Sequence, residues 1–515
     1  MTTTETPGMR AHSRWPQWLA RVAPLARPAQ AARRLPPGRR DVAALVALGI
    51  LARGLTAALL RHPGYLDAAY YYAVARNVAQ GRGLTEDFII TYLTPAAQVT
   101  HPSNLWWMPG ASLLLAPFFW LLGAHWWVAE LPNVLLTGTL PALGYWLGRD
   151  LLGTRRAALG AGLLTLVSGF YYPLYDPLPD NFGLYAWAAG GALLLLAQGA
   201  RGRHGRTGRF ALAGLCCGVA HLARAEAPLL LAIGAGIWLW TRRAPSRSIG
   251  DAAARDGTLV ALPLWSLAAF AGGYLVVMAP WFARNLALVG TPLPPGGLQA
   301  AWLRDYNDFF SYQKPLTPAT YFAWGIGPIL GSKLAALVET ARQMAAVMSF
   351  ALAPFALVGL WRLRRQVAAW PWLLYTVGAW LALALLFPFP AIYGSVLHSE
   401  VAVFPFLNVA AVAGLDGALE WIGRRTGAGA RRTAERQRVY LGASIALAAL
   451  LSAFLVLSNA HAWDATANAY ASAGRVVVAD ADLTPRPPSL RGKGERAHTA
   501  PIVMVADPAN YYVDT

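Results

Sequence analysis

The sequence predicts an all-α polytopic membrane protein of about eleven transmembrane helices, with its N-terminus in the cytoplasm. Three observations carry that reading. Of 515 residues, 56% are hydrophobic and only 13% are charged, about half the charged share of a soluble domain. The apolar residues gather in runs of roughly twenty, the length that crosses a bilayer. The arginines fall in the short segments between those runs, where they hold loops on the cytoplasmic side. A formal net charge of +18 therefore reads as membrane orientation. It does not point to nucleic acid, because no long basic face lies outside the apolar runs.

The elements follow in order. Residues 1–40 carry eight arginines among Pro and Ala and form a basic cytoplasmic tail with no cleavable signal peptide. The first span is expected at 41–60. In the outer segment 61–125, the apolar stretch Leu105–Leu122 is interrupted by Pro109 and Pro117, and is expected to lie along the outer leaflet as an interfacial helix. The crossing back to Arg149 is then supplied by 126–147. Further spans are expected at 157–172, 181–199, a pair within 210–240 turning near Arg224, 259–283, 344–361, 369–387, 396–417 and 439–459. Arg-rich loops around Arg203, Arg243, Arg364 and Arg431 fix the parity. Outer segments are 173–180, 290–343 and the tail 460–515. In that tail Leu483–Thr499 reads as a flexible insertion and Ile502–Val505 as a short strand, so a truncated or vestigial extracytoplasmic domain is expected. Cys216 and Cys217 are adjacent in an apolar run, which suits neither a disulfide nor a metal.

The residues that could carry chemistry lie on the outer side. Asp67 and Tyr71, four apart on a helical stretch just beyond the first span, share one face. Asp67 reads either as a helix N-cap or as a general base at the membrane surface. His101, before Pro102, is held extended and reads either as a phosphate or carboxylate contact or as a helix-entry residue. Asp176 and Asp180 in the second outer loop could orient an acceptor, assist Asp67, hold a divalent cation, or cap the helix that begins at Asn181. Arg224 and Arg284 are cations at outer helix ends; Arg224 could instead pair with Glu226, and either could snorkel to the interface. His398-Ser399-Glu400 opens a late span and is expected to face a cavity, as a structural pair or as a pocket wall.

The order Asp67…Tyr71…Ala75…Gly81-x-Gly83, then His101-Pro102 opening an apolar helix that ends at Leu122-Gly123, resembles the glycosyltransferase C superfamily of membrane enzymes. Among its members, the protein O-mannosyltransferases and the lipid A aminoarabinose transferase are the most similar in pattern. Asp176 and Asp180, Leu222-Ala223-Arg224-Ala225-Glu226 and Trp281-Phe282-Ala283-Arg284-Asn285 extend the likeness over about the first 300 residues. Residues 41–300 are therefore expected to form the catalytic module and 301–459 a variable membrane region. The resemblance implies transfer of a sugar, with inversion, from a polyprenyl-phosphate donor to an extracytoplasmic acceptor at the plasma membrane. It also implies that Asp67 is the base, with Tyr71, His101, Arg224, Glu226, Arg284 and His398 around the donor. Ala68 and Tyr70 stand where several members carry an acidic residue and an arginine, which leaves the use of a divalent cation open. Competing readings are a transporter or lipid flippase, for which internal repeats would be needed, and a non-catalytic membrane scaffold.

Overall fold

The computed structural model describes residues 38–60, 64–89, 100–201, 205–243, 261–311 and 314–483. Chain reversals between apolar runs leave helices as the only economical way to satisfy backbone polar groups in lipid. The regular secondary structure of the described residues is accordingly helical apart from one short ribbon, β1 (Thr85–Glu86) with β2 (His101–Pro102), paired antiparallel as Thr85↔Pro102 and Glu86↔His101.

The first span is α1 (Arg39–Leu59), followed by α2 (Leu66–Ala79), which carries Asp67. The apolar stretch with two prolines forms α3 (Gly110–Leu122), thirteen residues long and so about 20 Å, too short for a crossing. The stretch expected as one span at 126–147 is two stacked helices, α4 (Trp126–Gly138) and α5 (Leu140–Leu152). Pro141 near the start of α5 cannot donate into a continuous ladder, so the break falls at Thr139. Next come α6 (Arg155–Val167), a single turn at Tyr172–Tyr175 and α7 (Phe182–Arg201). The expected pair turning near Arg224 is present as α8 (Arg206–Ala223) and α9 (Pro228–Arg243), followed by α10 (Leu264–Val289).

Three later elements depart from expectation. The outer segment expected at 290–343 contains a 22-residue helix, α11 (Ile326–Val347). Its Lys333, Glu339, Arg342 and Gln343 dilute the apolar pattern that marks a span. The span expected at 344–361 is cut by a turn in which Ser349 and Phe350 both have φ near +51°, leaving the shorter α12 (Ala353–Leu363). After α13 (Trp370–Leu386), α14 (Val396–Glu400) and α15 (Phe404–Arg425), the last helix α16 runs from Ala430 to Leu483. The expected helix end near 459 is therefore passed by 24 residues. The expected strand Ile502–Val505 and most of the flexible insertion lie outside the described residues.

Six described helices are long and apolar enough to cross a membrane, namely α1, α7, α10, α13 with its preceding turn, α15 and α16 to Trp463. The protein is thus a multi-pass membrane protein. Between lipid-facing helices, packing depends on close backbone approach. At the crossing of α1 and α4 a Cβ on Gly49 would lie 1.9 Å from the Gly138 carbonyl oxygen, so both positions require glycine. Two ion pairs anchor α1, one near its start and one in its second half. Asp41 accepts from Arg155 Nη2 at 2.6 Å, and Arg53 Nη2 lies 2.7 Å from Asp176 Oδ2.

Candidate active site

Asp67 stands in the first turn of α2, one helical turn before Tyr71, and a quarter of its side chain is open to water (24%). The segment between α6 and α7 reaches it from the other side. In that segment the Asp180 N–H bonds the Leu178 carbonyl at 2.7 Å, and Asn133 of α4 donates its side-chain amide to the Leu178 and Asp180 carbonyls. The tight turn delivers the Asp180 side chain to Asp67 in complete burial. A third arm comes from 218 residues farther on. Before α14 the helix is broken at Tyr393 and Gly394, Gly394 with φ +115°, a value that a side chain would strain. The kink presents His398, whose ring stacks on Phe182 at 4.1 Å between centroids, 16° from parallel.

The resulting cluster is compact. His398 Nε2 lies 2.9 Å from Asp180 Oδ2 and 3.9 Å from Asp67 Oδ2. His398 Nδ1 lies 2.9 Å from the Gly394 carbonyl, an acceptor only, so that nitrogen carries a proton. Tyr65 donates its hydroxyl to Asp180, and the Asn181 N–H donates to Asp180 Oδ1 at 2.5 Å. The electrostatics push the two carboxyls apart. Burial first, and then the Asp180 charge, raise Asp67 from 3.8 to about 7. Burial opposes ionisation of Asp180 as well, but His398, Tyr65 and the Asn181 N–H outweigh it and hold that carboxyl below the usual range. Burial likewise works against the His398 imidazolium, and the adjoining Asp180 outweighs it, so the His398 pKa is raised.

Arg224, at the turn between α8 and α9, supplies a further cation that acts on Asp67 and Tyr71. Its Nε donates to Glu226, which also accepts from Ser399 Oγ. Among the described residues its terminal nitrogens have no hydrogen-bond partner. The Tyr71 hydroxyl is buried and accepts from Asn181 Nδ2 at 3.3 Å. Asp67, Asp180 and His398 offer ligand atoms all within 4.8 Å of one another. Two carboxylates and an imidazole suit a divalent transition ion, for which His398 would have to release its proton.

Asp176 does not join this set. Grouped with Asp180 from the sequence as an acceptor-orienting or cation-binding candidate, it pairs instead with Arg53 of α1, both side chains almost fully buried. Arg284 and His101 also lie apart from Asp67. Arg284 donates to the carbonyls of Ser103 at 2.7 Å and Leu84 at 3.3 Å and covers Trp281. His101 Nε2 lies 3.4 Å from Glu86 across the β ribbon. Burial raises Glu86 to about 7 against the pull of Tyr70 and Arg284. These contacts hold the segment between α2 and α3. Tyr65 and Phe182 were not singled out from the sequence. Tyr65 lies two residues before Asp67, the one local signal that could have drawn attention to it.

Residues 100–270 match the family model of dolichyl-phosphate-mannose-protein mannosyltransferases. That segment contains Asp176, Asp180, Arg224 and Glu226, while Asp67 and His398 lie outside it. No curated protein matches by sequence. Solved structures with a similar course include ArnT from Cupriavidus metallidurans bound to undecaprenyl phosphate, at 16% identity, 83% of this chain, 77% of that chain and a TM-score of 0.48. Another is the archaeal oligosaccharyltransferase AglB from Archaeoglobus fulgidus, in complex with an inhibitory peptide and a dolichol-phosphate. It is 13% identical, over 81% of this chain, with a TM-score of 0.42. The chain spans 56% of the length of AglB. Over its matched third, the chain is similar to the dolichyl-phosphate-mannose-protein mannosyltransferases, a glycosyltransferase C family, as the pattern from Asp67 onward implied.

Proposed function

We propose that this protein is a membrane glycosyltransferase that moves a sugar, with inversion, from a polyprenyl-phosphate-linked donor to an extracytoplasmic acceptor. The observation that carries this reading is the meeting of Asp67, Asp180 and His398 just beyond the first span, with Arg224 beside them. Two carboxyls driven apart in pKa divide acid–base labour. Asp67, poised near 7, is matched to accept a proton at neutral pH. In the reaction the acceptor hydroxyl gives its proton to Asp67 as its oxygen bonds to the anomeric carbon. The bond from that carbon to the phosphate oxygen breaks, and the lipid phosphate leaves with the electron pair. Negative charge then grows on the phosphate, which Arg224 and the His398 imidazolium are placed to stabilise in a site of low dielectric. A divalent ion, when bound by Asp67, Asp180 and His398, would supply the same neutralisation as a Lewis acid.

The basic loops and tail support a cytoplasmic N-terminus in the plasma membrane, with the cluster on the opposite face. The test is incubation of the purified chain in lipid nanodiscs with polyprenyl-phosphate-linked hexoses and pentoses and an envelope acceptor extract, followed by mass spectrometry of the lipid. Release of free polyprenyl phosphate from at least one donor is expected. Intact donors throughout the set, with donor bound, would overturn the reading in favour of a non-catalytic role.

A further inference from the structure

The two ends of α1 lie on opposite faces of the bundle. At 21 residues and about 1.5 Å per residue, the helix separates them by about 31 Å, the thickness of a hydrocarbon core. Asp67 follows the far end. At the near end Asp41 holds Arg155, the first residue of α6. There α6 and α16 leave a cleft of about 380 Å³ between them, on the face remote from the candidate active site.

The cleft is basic at one end and apolar along its length. Arg155, Arg156 and Arg438 line it. Asp41 neutralises Arg155, and Asp416 pairs with Arg156, whose Nη1 is buried without a partner. Arg438 is exposed and has no partner among the described residues, since the nearby Glu435 is engaged by Arg431 at 3.2 Å. Three guanidiniums against two carboxylates leave one uncompensated positive charge. From that end Leu159 and Leu163 on α6, and Leu441 and Ile445 on α16, repeat at one-turn spacing and form an apolar trough. From Arg155 to Leu163 it runs about 12 Å, long enough to seat the first part of an acyl chain.

We propose that this cleft is a binding site for an anionic phospholipid, its headgroup phosphate held by Arg438 with Arg155 and Arg156 and its acyl chain in the trough between α6 and α16. Charge complementarity selects the occupant, because a zwitterionic lipid would bring its own cation to the arginines, whereas an anionic headgroup supplies the missing negative charge. The site is independent of the glycosyltransferase reading.

The test is native mass spectrometry of the full chain in detergent with phosphatidylglycerol or phosphatidylcholine added in equal amounts. The wild type is expected to retain phosphatidylglycerol preferentially. Loss of one arginine near a membrane surface weakens an anionic lipid by about fivefold, so Arg438→Gln should lower phosphatidylglycerol occupancy by that factor and leave phosphatidylcholine unchanged. Gly442 borders the trough, and a Cβ there meets nothing within 4 Å, so Gly442→Leu should fill the trough and lower occupancy without disturbing packing. Thermal melts check that both variants are folded. Equal retention of the two lipids by the wild type, or unchanged phosphatidylglycerol occupancy in both folded variants, would overturn the proposal. So would displacement of the lipid by millimolar inorganic phosphate alone, since the trough would then add nothing.

Discussion

Replacing Asp67 with Asn should make the protein more stable at pH 8 while removing its base. The carboxyl is raised to about 7 from 3.8, by burial first and by the Asp180 charge second. The folded state therefore keeps a proton that the unfolded chain releases near pH 3.8. Stability is lost as pH rises from 3.8 to about 7 and stays lower above that. A shift of about three units at 1.36 kcal/mol each puts the cost near 4 kcal/mol at pH 8. With a quarter of the side chain open to water, that figure is an upper bound. At pH 5 less than half of it has developed, so the gain from Asn should grow by up to about 3 kcal/mol between pH 5 and pH 8. For a chain of this size 1 kcal/mol corresponds to roughly 1 °C in Tm. Thermal unfolding of wild type and Asp67→Asn in the same nanodiscs at both pH values measures it. A gain that is equal at the two pH values, or a loss at pH 8, would refute the reasoning and make Asp67 a satisfied helix-capping carboxylate.

Further outcomes follow from the pairs around the cluster. Breaking the buried Arg53–Asp176 pair through Asp176→Leu alone should cost about 3–5 kcal/mol by stranding the guanidinium; adding Arg53→Met should recover part of that loss, read as Tm of the single and double variants. Arg224→Lys keeps charge but loses the guanidinium fork, so affinity for the lipid phosphate, measured by titration of polyprenyl phosphate, should fall several-fold, with stability little changed. Arg284→Lys should show the reverse, a lower Tm from lost contacts to Ser103 and Leu84 with donor affinity preserved.

Hydropathy and arginine placement made the first span, the short apolar helix after His101 and the turn of the helix pair at Arg224 legible in the sequence, because lipid imposes length and charge rules on such segments. The same rules mislead where polar residues lie on a helix. In α11, Lys333 and Glu339 masked a 22-residue element inside an expected loop. Asp67, Asp180 and His398 were each visible as unusual ionisable groups at the ends of apolar runs. Their meeting was not, because His398 comes from 218 residues beyond Asp180 and its aim depends on a kink at Gly394. Asp176 was grouped with Asp180 because the two lie four residues apart in one loop, and sequence spacing cannot show that Asp176 pairs with Arg53 while Asp180 meets Asp67 and His398. Its true partner, Arg53, lies inside the first apolar run, where an arginine is easily passed over as part of the span.

The central claim is that Asp67 takes the acceptor proton beside the Asp180–His398 pair. It is tested most directly by single-turnover transfer from a polyprenyl-phosphate sugar at saturating, independently measured donor occupancy, comparing wild type, Asp67→Asn and Asp67→Glu. A positioned base contributes about 10²–10⁴-fold, so the Asn variant should lose at least a hundredfold in rate with donor binding intact, and the Glu variant should recover part of it. A near-normal rate in Asp67→Asn would contradict the account.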